Sequence, residues 1–185
     1  MNGKVYLGIS GKMGSGKTTL SDGIITALGS LKVVRVSLAK PIKDLQDMIY
    51  KDLNLTMYGD KDRELLIALG MWGRGKSSDF WLEKAVEKME LIDADIIICD
   101  DVRFLNEAEW FNKNGLLMRI EGEQRGDNVD PSRADDPTET TLDNFDFKYY
   151  INNTTTAEAS LMSALYTVAQ HINVSEELIK ELGGL

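Results

Sequence analysis

The sequence predicts an α/β protein: a parallel sheet of five strands with helices on both faces, in the three-layer arrangement of phosphate-loop nucleotide-binding proteins. Three observations predict it. Apolar, β-branched runs alternate with helical patterns along the chain. The segment 95–99 (DIIIC) runs apolar without alternation, as a strand covered on both faces does. The first apolar run, 5–9, leads directly into Gly11-Lys12-Met13-Gly14-Ser15-Gly16-Lys17-Thr18, a G-x-x-x-x-G-K-T loop placed between a strand and a helix.

The elements follow in order. Residues 5–9 form a strand and 18–28 a helix with Gly29 as its stop signal. Residues 33–37 (VVRVS) form a second strand. Pro41 stands in the first turn of a helix that reaches about residue 53. Residues 60–69 are helical, with Leu65, Leu66 and Leu69 on one face and Gly70 at the end. Ser78 caps a helix over 79–91, where Trp81, Ala85, Val86 and Met89 share a stripe. After the third strand at 95–99 comes a helix over 104–113, closed by Asn114-Gly115. Strands four and five are 116–120 and 148–151 (KYYI). Thr155-x-x-Glu158 is a capping box that opens a helix to about His171, and Ser175 caps a short last helix with Glu176 and Glu177 in its first turn. The stretch 121–147 breaks the alternation. It is polar and poorly periodic, and a loop this long is either disordered or a functional lid. Arg125 and Arg133 within it favour a lid.

Composition narrows the function. The length of 185 residues suits one domain, and 43% apolar residues suffice for its core. No apolar run approaches the roughly 20 residues of a membrane span, and the N-terminus enters a strand with no signal peptide. The single cysteine, Cys99, lies in an apolar run, so neither a disulfide framework nor a zinc cluster is expected. A cytoplasmic protein follows. The net charge of −9 argues against non-specific nucleic-acid binding. A small anionic ligand then needs a local basic pocket. Of the seven arginines, Arg63, Arg74, Arg103, Arg119, Arg125 and Arg133 crowd the middle of the chain, with Arg35 before them, and arginine forks match phosphate oxygens in pairs.

The loop carries the chemistry. Its glycines let main-chain N–H groups turn inward onto phosphate oxygens, and the helix behind it points its positive end the same way. Residues Gly11 to Thr18, with Thr19 next in the helix, are therefore the ATP-binding set. Lys17 reaches the β- and γ-phosphates, and the Thr18 hydroxyl coordinates Mg²⁺. The third strand ends in Asp100-Asp101, the acids such an enzyme sets beside its metal. Strand alternation puts their side chains on opposite faces. Asp100 is assigned to the metal and Asp101 to the substrate side, with the choice between them open. Arg103 points into the same cleft. A hydroxyl acceptor needs a base, whereas a phosphate acceptor needs its charge neutralised. The chain offers arginines and one histidine, His171, far along the chain. A phosphate acceptor is the better match.

The phosphate loop, SLAKPIKD at 37–44, DRELLIALGMWGR at 62–74, Trp81, DDVRFLNEAE at 100–109, an arginine-bearing stretch and YYINN at 149–153 together resemble the bacteriophage deoxynucleoside monophosphate kinases. The resemblance covers nearly the whole chain, and D-D-V-R-F-x-N-E and D-R-x-L-L are its specific parts. It implies Mg- and ATP-dependent transfer of the γ-phosphoryl group to a deoxynucleoside monophosphate. It also implies a five-stranded parallel sheet with a helical nucleoside-monophosphate-binding insertion and a lid. The single kinase domain, 1–185, would comprise a core of 1–37, 93–120 and 148–185, an acceptor region of 38–92 and a lid of 121–147. Ser37, Lys40, Arg63, Arg74, Asp101 and Arg103 would meet the acceptor. Trp81 would either stack on its base or belong to the core. Arg125 or Arg133 would close over the transferring group and act with Lys17 and Arg103 in catalysis. Asn153 would lie against adenine, as in the similar dephospho-coenzyme A kinases. Those enzymes carry Asp-x-Asp where this chain reads VSLAKP, which argues against their substrate. Dimers are common in the family, and a phage-encoded member works in the host cytoplasm.

Two other functions compete. One is a kinase of the same fold acting on a hydroxyl. The other is a nucleotide-dependent switch or assembly protein, but the guanine-reading Asn-Lys-x-Asp element is missing. The nearest string is Asn112-Lys113-Asn114-Gly115.

Overall fold

The computed structural model describes residues 4–122, 136–154 and 156–171. Along the chain run β1 (Val5–Ser10), α1 (Lys17–Ala27), β2 (Val33–Arg35), α2 (Lys40–Asp52), α3 (Arg63–Arg74), α4 (Phe80–Leu91), β3 (Ile96–Val102), α5 (Leu105–Asn114), β4 (Leu116–Glu121), α6 (Pro137–Thr140), β5 (Tyr149–Asn152) and α7 (Ala157–His171). Val36–Asp93 is one compact unit, and the chain before and after it is the other.

The larger unit holds the sheet. Its strand order is β2-β3-β1-β4-β5, and every pairing is parallel, so the predicted fold class holds. Alternation sorts the side chains. Leu7, Ile9, Ile96, Ile98, Leu116, Met118 and Ile120 form one cluster with Leu20 and Ile24 of α1, Leu28 just after it, and Ala164, Leu165 and Val168 of α7. Between Leu7 and Ile9, Gly8 admits the Phe111 ring of α5, since a Cβ there would sit 2.6 Å from the ring. Parallel strands put their carboxyl ends on one edge, which gathers the phosphate loop and Asp100–Arg103 there.

The β1–β3 register shifts at this edge. Gly8 pairs with Cys99, but Ser10 pairs with Val102, so Asp100 and Asp101 together oppose Ile9. A bulge of this kind re-aims side chains, and simple alternation no longer governs the two acids. β3 is also longer than its apolar run, so both acids lie within the strand.

The smaller unit is α2, α3 and α4. Asp62 caps α3: its Oδ1 accepts from Leu65 N–H at 3.0 Å, and its Oδ2 accepts from Tyr50 Oη at 2.8 Å. Gln46 brackets the same residue, donating to Asp62 O at 2.6 Å. Gly70 does not end the helix, which continues to Arg74. The Trp81 indole N–H donates to Gly70 O at 3.2 Å, and a Cβ on Gly73 would lie 2.2 Å from that nitrogen. Gly73 clears a floor for the ring, and Gly70 supplies it a carbonyl rather than stopping the helix. At α4 the cap position is Asp79, one residue beyond the expected Ser78. β2 closes at Arg35, so Ser37 lies past the strand. The Thr156 hydroxyl accepts from Ala159 N–H at 3.1 Å in the first turn of α7. Thr155, Ser175 with its short helix, and residues 123–135 of the expected lid, Arg125 and Arg133 among them, lie outside the described residues. Among the described residues no helix is long and apolar enough to cross a membrane.

Candidate phosphate site

The loop between β1 and α1 has the backbone its sequence requires. Gly14 and Gly16 adopt φ of 74° and 98°, where a side chain would be strained. At Gly16 a Cβ would also meet Asn153 Nδ2 at 2.6 Å. That amide donates to Ser15 O at 2.9 Å, while Asn153 Oδ1 accepts from Ser160 Oγ at 3.0 Å. Asn153, expected beside adenine, therefore braces the loop from the end of β5. Ser15 Oγ is buried with no hydrogen-bond partner, a polar atom of the loop still to be satisfied.

Lys17 folds back on its own loop, and its Nζ donates to Gly11 O and Lys12 O at 2.7 Å each. Burial first, and then the neighbouring guanidiniums of Arg103 and Arg119, lower its pKa to about 8. Glu139 and Asp100 oppose the shift, which places Asp100 in the same electrostatic neighbourhood. Asp100 Oδ2 also accepts from Arg35 Nη1 at 3.4 Å, and Arg35 pairs with Asp22 at 2.7 Å. Thr18 and Thr19 are exposed at the start of α1.

A short segment after the undescribed stretch is stitched onto the loop. Glu139 has a side chain only 4% exposed. Its Oε2 accepts from Met13 N–H at 2.7 Å, and its Oε1 accepts from Arg103 Nη1 at 2.6 Å. Lys12 Nζ donates to Glu139 O and to Asp143 Oδ2, both at 2.6 Å. Arg119 Nη2 pairs with Asp143 Oδ1 at 3.2 Å, and its guanidinium lies 5.3 Å from the centre of the Phe147 ring. The Lys12 hydrogen bond, aided by Arg119, holds the Asp143 carboxyl below the usual carboxylate range.

Arg103 is held at its backbone as well. Glu107 Oε2 accepts from Arg103 N–H at 2.7 Å and from Phe104 N–H at 3.0 Å. Enclosure pushes the Glu107 carboxyl up to about 7 against the pull of those two bonds, with the charge of Asp101 adding to the rise. Between its ordinary value of 4.5 and about 7 the folded protein holds the extra proton. This group therefore lowers stability as pH rises through that window. Urea unfolding at pH 5 and pH 8 should show Glu107→Gln gaining on the wild type at the higher pH. Glu107→Ala strands two amides and should cost about 1–3 kcal/mol at either pH.

A cavity of about 660 Å³ adjoins the loop, lined in part by Gly14, Lys17, Thr19, Asn153, Glu158 and Leu161. The other expected acceptor residues belong to the smaller unit. Arg63 and Arg74 are exposed on α3, and Lys40 is exposed at the start of α2, where it pairs with Asp44. Trp81 is 8% exposed and bonded through its indole N–H, so its core reading is the one that matches, whereas Trp72 is half-exposed. Among the described residues no cluster of three or more His, Cys, Asp or Glu could hold a metal ion.

Three residues of this site escape the sequence reading, while Arg119 enters it only as one of the clustered arginines, although a charge inside the apolar run LLMRI also needs a buried partner. Glu107 had a weak signal, an acid at the third position of a helix. Glu139 and Asp143 had none, because only the fold brings them to the loop.

Residues 9–116, more than half of the chain, match the phosphomevalonate kinase family. No curated protein sequence matches the chain. Among solved structures, the protein TT1252 from Thermus thermophilus is similar at 18% identity and a TM-score of 0.56, over 90% of this chain and 97% of that one. A gluconokinase from Sinorhizobium meliloti is similar at 12% identity and a TM-score of 0.50, over 91% of this chain and 94% of that one. These two likenesses concern the fold.

Proposed function

The chain belongs to the phosphomevalonate kinase family, and on that premise we propose that it transfers the γ-phosphoryl group of ATP to a small molecule that already carries a phosphate, a deoxynucleoside monophosphate in the first reading. The observation that carries this is the crowding of cations at the loop. Lys17, Arg103 and Arg119 are gathered near one another, and burial first, then the like charge of the two arginines, lowers the pKa of Lys17. Such a site is built for several negative charges at once.

In this reading the amides of Met13 to Thr18 and the Lys17 ammonium take the β- and γ-phosphates, and the neighbouring cavity takes the nucleoside. The acceptor phosphate oxygen forms a bond to the γ-phosphorus while the bond to the β–γ bridging oxygen breaks, leaving ADP. Arg103 offsets the charge that the two phosphates bring together. Thr18 and Asp100 suit Mg²⁺, which is held by one or two protein oxygens plus phosphates and needs no larger ligand cluster. Bound there, the ion would offset charge on the triphosphate. Lys40, Arg63 and Arg74 of the smaller unit are assigned to the acceptor.

The family's name favours a second acceptor, since phosphomevalonate is a phosphate ester without a base. A panel of Mg-ATP with each deoxynucleoside and ribonucleoside monophosphate, phosphomevalonate, and the unphosphorylated counterpart of each, followed by ADP release, separates the readings. Turnover with one or more deoxynucleoside monophosphates is the expected result. Turnover only with phosphomevalonate would move the acceptor, and turnover only with an unphosphorylated alcohol would overturn the phosphate acceptor.

A further inference from the structure

One buried acid beside the phosphate loop has no part in that chemistry. Glu139 is buried, yet its two carboxylate oxygens are spent on a loop amide, Met13 N–H, and on Arg103. An amide of a glycine-rich loop and a guanidinium beside it are the donors a phosphoryl group uses. A carboxylate resembles a phosphoryl group in charge and in its spread of acceptor oxygens. The same segment adds its Glu139 carbonyl on Lys12 and its Asp143 carboxylate on Lys12 and Arg119. Five donated contacts thus run from the loop and its flanking cations into residues 139–143.

We propose that Glu139 is a stand-in for a phosphoryl group: its carboxylate and the bound phosphate compete for Met13 N–H and Arg103, so that phosphate arrival detaches residues 136–143 from the loop. The inference rests on the reading of the loop as a triphosphate site. Charge decides the competition. A carboxylate and a phosphate oxygen cannot share two donors in an enclosed place, because each repels the other where water screens little. Glu139 is therefore a positioning residue. It keeps Arg103 and the loop amide aimed at one point and yields both to the substrate.

Two measurements test this on the full chain. The first compares ATP and inorganic tripolyphosphate binding, with Mg²⁺, by calorimetry in the wild type and in Glu139→Gln. Glutamine keeps the shape and one acceptor oxygen but loses the charge. Its affinity for both probes should rise about tenfold, the size of one charge-assisted hydrogen bond no longer contested. KM for ATP should fall with it, without a matching fall in kcat, a split that loss of packing would not give. The second measurement is hydrogen exchange of wild-type peptides spanning 136–147, which should speed up when Mg-ATP saturates the protein. It decides the matter even where the glutamine variant does not fold. Equal affinities, or binding of ATP with unchanged exchange, would overturn the stand-in and leave the donor site intact. Failure of the wild type to bind either probe would overturn both.

Discussion

Replacing Lys17 by methionine is expected to lower kcat/KM by at least about 10³ while leaving the thermal midpoint unchanged or raised. The two halves of this result come from one fact. The ammonium is enclosed beside Arg103 and Arg119, so that its pKa falls to about 8. The folded chain therefore carries this charge at a cost, because burial and like charge both disfavour it. Its compensation in the structure is two bonds to Gly11 O and Lys12 O. Methionine has nearly the same length and flexibility, removes the charge and leaves two carbonyls that water at the loop can reach. Folding loses little. In the proposed function, transfer loses the point charge assigned to the β- and γ-phosphates. A residue kept at the expense of stability is one that function needs. Steady-state kinetics and a melting curve on the same preparation check it. Normal turnover would remove the loop from the chemistry, and a large drop in melting temperature would make Lys17 a structural cation instead.

The larger features of this molecule were legible because each depends on local sequence. A G-x-x-x-x-G-K-T run after a β-branched strand fixes the loop, and apolar runs spaced by helical patterns fix a parallel sheet. The reading went wrong where a distant residue overrides a local signal. Gly70 reads as a helix stop in its own neighbourhood, yet Trp81, eleven residues on, needs its carbonyl and the bare surface of Gly73. Asp100 and Asp101 read as a simple alternating pair, yet the partner strand β1 imposes a bulge there. Asn153, expected against adenine, has a further bond that no local signal shows, from its amide to the loop backbone. The acids of 139–143 lay in a stretch with no periodicity at all. Nothing short of the fold shows that an acid more than a hundred residues away neutralises Lys12.

Arg103→Ala should damage both activity and stability, and a second substitution should separate them. The guanidinium is the ionic partner of a carboxylate only 4% exposed. Removing it leaves that charge enclosed with a single amide donor. Breaking a buried pair costs about 3–5 kcal/mol, and with Arg103 itself a third exposed about 2 kcal/mol is the fitting figure. Turnover should fall about 10²–10⁴-fold, the range for losing a cation that meets the transferring group. In the double variant Arg103→Ala with Glu139→Gln, no unpaired charge remains, so stability should return most of the way. Turnover should not return, because in the proposed function the acceptor phosphate still lacks its neutralising cation. The pair of measurements thus assigns the residue. Recovery of stability alone makes Arg103 a group that acts on substrate. Recovery of turnover together with stability would show that the arginine serves only to satisfy Glu139, and the phosphate acceptor would then have to be neutralised by other cations.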